Sequence, residues 1–100
     1  MAEYYTGDSI PLGVTVIENN VALAVVSAKA SVYRVDGGVK VVDGAVAAPG
    51  GASGNEVTYI IGKGVITVAG EYRAYLVCAF SGSRERTYEF EFEVLPNPRV

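Results

Sequence analysis

The chain has no histidine, no tryptophan, one cysteine and one methionine among its 100 residues. Each absence removes a class of function. Without histidine the commonest general base and the commonest metal ligand are gone, and with Cys78 as the single thiol zinc and redox centres have too few donors to form. No intrachain disulfide can form either, so the fold has to hold by packing, and a reducing compartment suits it. Cys78 itself reads as a small core residue. The net charge of −3 and a pI near 4.8 lack the clustered Lys and Arg that a phosphate backbone attracts, which argues against nucleic acid as a partner. No apolar run approaches the roughly 18 residues of a membrane-spanning helix. The opening Met1-Ala2-Glu3-Tyr4 has neither the basic start nor the apolar stretch of a signal peptide. Synthesis in the cytoplasm, without membrane insertion, is the expectation.

What the chain has in quantity is valine, with 17 copies against 4 of leucine. Stiff β-branched side chains suit a pleated sheet better than a helix. At 50% hydrophobic and 19% charged residues the chain packs rather than remaining disordered, and a length of 100 residues supports one core rather than two. We therefore expect a single domain over residues 1–100, with 96–100 as a tail or the start of a linker.

Hydrophobic alternation locates the strands. From Ser9 to Glu18 the residues Ile10, Leu12, Val14 and Val16 recur with a period of two, as in a half-buried strand, and Asn19-Asn20 supplies a turn. Val21 to Val26 is apolar throughout; its valines favour an extended segment over a short helix. Ala28–Val35 and Val39–Val42 flank Asp36-Gly37-Gly38, a hairpin signal. A two-residue loop there sets Arg34 opposite Val39 and Val32 opposite Val41, with Tyr33 and Val35 sharing the other face with Lys40 and Val42; which face is inward stays open. Between Asp43 and Gly54 the composition turns to Gly, Ala, Ser and Pro, which reads as a mobile surface loop. Val57–Ile61 resumes strand character, and Gly62-Lys63-Gly64 interrupts it before a short run from Val65 to Val68.

The last third carries the clearest pattern. Tyr72–Phe80 and Arg84–Leu95 are joined by Ser81-Gly82-Ser83, and Tyr88, Phe90, Phe92 and Val94 alternate with Thr87, Glu89, Glu91 and Glu93. A three-residue loop pairs Tyr72 with Phe92, Ala74 with Phe90 and Leu76 with Tyr88, and sets Arg73 opposite Glu91 on the outer face. Pro96-Asn97-Pro98 then stops the strand.

Few of these residues invite chemistry. Glu89, Glu91 and Glu93 stand about 6.5 to 7 Å apart on a strand, too evenly solvated to divide into acid and base. Asp8, Asp36, Asp43 and Glu56 lie in or beside turns and could be imagined around a calcium ion at one end; they lack the close spacing of a dedicated loop, so turn formation is the preferred role. Gly62-Lys63-Gly64 lacks the spacing, the following Ser or Thr and the helix of a phosphate loop. No nucleophile stands near a base. We expect no enzyme, no cofactor and no metal. Contact surface is what remains: Tyr75 and Val77 point away from the core on a central strand, and Tyr4 and Tyr5 precede the first strand without an assigned partner, so these four are the candidate interface.

Short strands with turns every 8 to 12 residues fit an antiparallel β-sandwich. Ala69-Gly70-Glu71-Tyr72 is similar to the tyrosine corner of immunoglobulin-like domains, although the Trp and paired cysteines of antibody domains are absent. With Gly7-Asp8-Ser9, Asp36-Gly37 and Ser81-Gly82-Ser83, the layout resembles the immunoglobulin-like domain of phage baseplate upper proteins and related tail structural proteins. That resemblance implies an immunoglobulin-like sandwich of about seven strands. It further implies a structural part made in a bacterial cytoplasm and assembled into a virion, whose partners are other tail proteins or a second copy of itself. The chain ends at Val100, where members of that family continue into a further domain. The rival expectation is an adhesion module that binds carbohydrate or protein through exposed tyrosines or end loops.

Overall fold

The computed structural model describes residues 2–98, and what the strands share is the alternation read above. They are β1 (Ala2–Tyr5), β2 (Ile10–Thr15), β3 (Ile17–Glu18), β4 (Val21–Ala22), β5 (Ser27–Arg34), β6 (Val39–Gly50), β7 (Glu56–Ile61), β8 (Gly70–Phe80) and β9 (Arg84–Leu95). One short 3-10 turn, Asp36–Gly38, is the only helical piece among the described residues. Seven strands form a continuous sheet in the order β1-β9-β8-β5-β6-β7-β2, and β3 with β4 makes a separate ribbon. The protein is all-β, and its sheet folds over into a sandwich with one core.

The fold-over happens inside β6. Its first part, Val39 to Ala47, pairs with β5; its last part, Ala48 to Gly50, pairs with β7. The mobile loop expected between Asp43 and Gly54 is thus corrected: most of it is strand. Small side chains made the segment look like a loop, yet Ala45 and Ala47 pair with Ala30 and Ala28, where two backbones come close while the strand changes sheets. The true turn begins at Gly51, and Glu56 folds its carboxylate into the space a Cβ there would occupy.

The hairpin at Asp36 keeps the expected pairs, Arg34 with Val39 and Tyr33 with Lys40, but not the expected loop. Its positive φ angles fall on Gly37 and Gly38, so the connection is longer by the 3-10 turn. A bulge beyond Tyr33 then sets Val32 opposite Val42 rather than Val41. Val42 faces the core as a result, contrary to the simple register, because an extra residue on one strand flips the side chains beyond it. The run Val65 to Val68 forms no strand. Instead Ile66, 1% exposed, plugs the core from a loop, and its carbonyl accepts the Gly7 N–H at 2.9 Å. Val21 to Val26 contains no helix; only Val21–Ala22 is strand, closed by the turn at Asn19 and Asn20, both at positive φ.

The β8–β9 hairpin has the expected register throughout: Tyr72 with Phe92, Ala74 with Phe90, Leu76 with Tyr88 and Arg73 with Glu91. Tyr72 lies flat on Phe92, centroids 5.7 Å apart and planes 7° apart, and its hydroxyl donates to the Val68 carbonyl at 2.5 Å. Around this pair the core gathers Ile10, Leu12, Val16, Val57 and Ile61 from one sheet wing and Ala30, Val32, Leu76, Cys78 and Val94 from the other. Among the described residues Asn55 is the buried polar one, and it is tied to Val16 twice. Its side-chain amide donates to the Val16 carbonyl at 3.0 Å, and its own carbonyl accepts the Val16 N–H at 2.8 Å. At the end of β9 the chain is tied rather than loose, since the Asn97 N–H donates to Thr6 Oγ1 at 3.1 Å. Residues 99 and 100 of the expected tail lie outside the described residues.

Candidate functional site

With Ala28, Ala30, Val32, Tyr72, Ala74, Leu76 and Cys78 turned inward, strand alternation turns Lys29, Ser31, Tyr33, Arg73, Tyr75 and Val77 outward. They form rows across four strands. The first row runs Lys40, Tyr33, Arg73, Glu91, from β6 through β5 and β8 to β9. The next holds Ser31, Tyr75 and Glu89, and the third runs Val46, Lys29, Val77, Thr87. No element of the described residues covers this face.

Its centre is aromatic. Tyr33 and Tyr75 meet edge to face with centroids 5.8 Å apart, the arrangement their quadrupoles prefer. The Lys40 ammonium stands 5.4 Å above the Tyr33 ring and bonds the Asp43 carboxylate at 3.2 Å. That hydrogen bond, then the carboxylate's charge, holds the Lys40 pKa above its ordinary value. Arg73 and Glu91 approach to 3.6 Å, each side chain about half exposed, so the pair fixes orientation more than it stabilises. A second irregularity in β6, between Val42 and Ala45, is pinned from this face, the Gly44 N–H donating to Ser31 Oγ at 3.1 Å. Val46, 81% exposed, is an apolar side chain held in water beside Lys29.

Of the four residues singled out from sequence, Tyr75 and Val77 lie here, half-buried on the central strand β8. Tyr4 and Tyr5 lie elsewhere. Tyr4 packs edge-on against Phe92, centroids 5.8 Å apart. Tyr5 is exposed near Asp8 and Asn97, where its N–H donates to Asp8 Oδ2 at 2.9 Å. Sequence reading missed Tyr33 and Val46. Tyr33 could have been placed by matching small Ala30 and Ala28 to the core side of β8, whereas Val46 was hidden in a segment taken for a loop.

The acidic residues are dispersed. Asp8 caps a turn, Asp43 holds Lys40, and Glu56 lies over Gly51; the Asp36 carbonyl accepts from Arg34 Nε at 3.2 Å. Among the described residues no three of His, Cys, Asp or Glu gather as a metal site would require. Glu18 is drawn to Arg84 at 2.9 Å, which lowers its pKa. Cys78 is fully buried, and burial pushes its thiol pKa up. With little thiolate and no access, Cys78 is expected to be unreactive: an aromatic disulfide reagent should modify the native protein at least about a hundredfold more slowly than the protein in urea, because only the small unfolded fraction exposes the thiol. Equal rates would mean that the β8 core is open.

No protein-family model matches this chain, and no curated protein does. Among solved structures the chain is similar to CopC from Methylosinus trichosporium OB3b, with a TM-score of 0.66 and 16% identity over 99% of this chain and 87% of that one. At that identity the likeness is one of fold. It corrects the expectation of a phage tail or baseplate part, because a solved structure sharing the fold is CopC and nothing in the comparisons points to a virion. The physical reason lies in the motifs behind the expectation. Asp36-Gly37 and Ser81-Gly82-Ser83 are turns that need positive φ at Gly37 and Gly82, and Gly70-Glu71-Tyr72 opens the strand whose tyrosine hydroxyl closes on Val68. They are requirements of a sandwich, whatever particle or cell it serves.

Proposed function

We propose that this chain is a non-catalytic protein-interaction module on an immunoglobulin-like sandwich, and that it works through the outer face of β5, β6, β8 and β9. The immunoglobulin-like assignment is supported by the Tyr72 hydroxyl bonded back to Val68, by β6 passing between two sheet wings, and by β1 running parallel to β9 at the edge. The non-catalytic reading rests on the residues themselves: no histidine, a buried thiol, and carboxylates spread among turns and solvated rows.

The observation that carries the binding role is the Tyr33–Tyr75 pair at the middle of an uncovered face. Tyrosine supplies a large contact area with little side-chain entropy to lose, and interfaces are enriched in it. Val77 and Val46 extend the apolar surface, while Lys40, Arg73, Glu89 and Glu91 give it a charged rim.

The test is a photoreactive phenylalanine analogue replacing Val77, with the same analogue at Thr58 on the outer side of β7 as control, irradiated in cells that express the chain. Adducts from position 77 and none from position 58 are expected. Adducts from neither position, or equally from both, would refute a dedicated face.

A further inference from the structure

We infer that the partner of this face is a second copy of the chain, docked face to face about a two-fold axis that runs parallel to the strands between β5 and β8. The inference rests on the binding role proposed above for that face.

Charge decides both the partner and the axis. Across the face the cations Lys29 and Lys40 stand on the β5–β6 side, with Asp43 bonded to Lys40, and the carboxylates Glu85, Glu89 and Glu91 stand on the β9 side, with Arg73 of β8 beside Glu91, which leaves the first side net positive and the second net negative. A two-fold axis in the plane of contact and along the strands reverses each row left to right. The row Lys40, Tyr33, Arg73, Glu91 then meets itself backwards: Lys40 faces Glu91 of the copy, and Arg73 faces the Tyr33 ring. That gives an ion pair and a cation–π contact, each occurring twice by symmetry. In the third row, reversal sets Val46 against Thr87 and the aliphatic stem of Lys29 against Val77, which removes the most exposed apolar residue on this face from water. An in-plane axis across the strands would put Lys on Lys side and Glu on Glu side, which like-charge repulsion forbids.

Size sets the strength. Four strands about 4.8 Å apart and about seven residues long at 3.3 Å each give a patch of roughly 450 Å² per copy. Interfaces of that size belong to the weak, transient class, so the dimer forms in the micromolar range and above.

Light scattering and sedimentation equilibrium on the purified full chain, from low micromolar to millimolar concentration, test this. The expected result is a mass rising from one copy to two. Lys40→Glu and Glu91→Lys each turn two attractions into repulsions and weaken the dimer about tenfold, and the double exchange recovers it. Thermal unfolding of each variant checks that the fold is kept, which solvent-exposed positions allow. A dimer unmoved by either single exchange overturns the arrangement, as does failure of the double exchange to recover. A chain that stays single at millimolar concentration overturns self-association, and adducts at position 77 to a different polypeptide would then leave the binding face standing.

Discussion

Tyr72→Ala loses about 3 to 5 kcal/mol of folding stability, and Tyr72→Phe only about 1 kcal/mol, as read from urea midpoints by circular dichroism. The two numbers separate two jobs done by one side chain. The ring is 1% exposed and stacked on Phe92 at 5.7 Å, so truncation opens a cavity between two elements held by their own ladders. The hydroxyl donates to the Val68 carbonyl at 2.5 Å, tying the loop before β8 to the core; Phe keeps the ring and leaves that carbonyl to water. Equal losses in the two variants would mean that the hydroxyl, not the ring, carries the corner. Burial also raises the Tyr72 pKa, so the hydroxyl keeps its proton, and the bond, at neutral and mildly alkaline pH.

Leu76→Ala is the second large loss, about 2 to 5 kcal/mol. Leu76 is fully buried between Ala30 on β5 and Tyr88 on β9. Ala74 and Cys78, which flank it on the same inward face of β8, are both too short to fill the space. A domain of this size has about 5 to 15 kcal/mol in total, so Tyr72→Ala and Leu76→Ala together, about 5 to 10 kcal/mol, remove a large share of it. A loss under about 1 kcal/mol for Leu76→Ala would show that the two sheet wings can close over the gap.

The sequence-to-structure relation was clearest where pattern and turn length agreed. In β8 and β9 the aromatic and acidic faces alternate without a break, and a three-residue turn permits only one parity, so every pair could be assigned. Legibility failed where a strand breaks its own period. Two irregularities in β6, one on each side of Val42, turn Val42 inward and then return Val46 to the outer face that Lys40 shares, and no local signal separates Asp43-Gly44 as a bulge from Asp43-Gly44 as the start of a loop. Glycine, alanine and proline then concealed the rest of β6, because a strand that must lie close to two neighbours uses the small residues that loops also use. The face around Tyr33 stayed open for a different reason: the hairpin at Asp36 does not say which side of β5 turns inward, and only the match of Ala28 and Ala30 to the inward residues of β8 does. Tyr75 and Val77, on an unbroken strand, needed no such information. The family likeness drawn from turn motifs failed differently, since turns report backbone geometry and many unrelated sandwiches need the same turns.

Because β6 completes both wings, the sandwich has no line along which it can come apart. Release of β7 and β2 would strip hydrogen-bond partners from the end of β6, and release of β5 would strip them from its beginning, so either event exposes the core that the other wing covers. Opening is therefore a property of the whole domain: β5 and β7, which never pair with each other, belong to one cooperative unit and share one free energy of exchange with solvent.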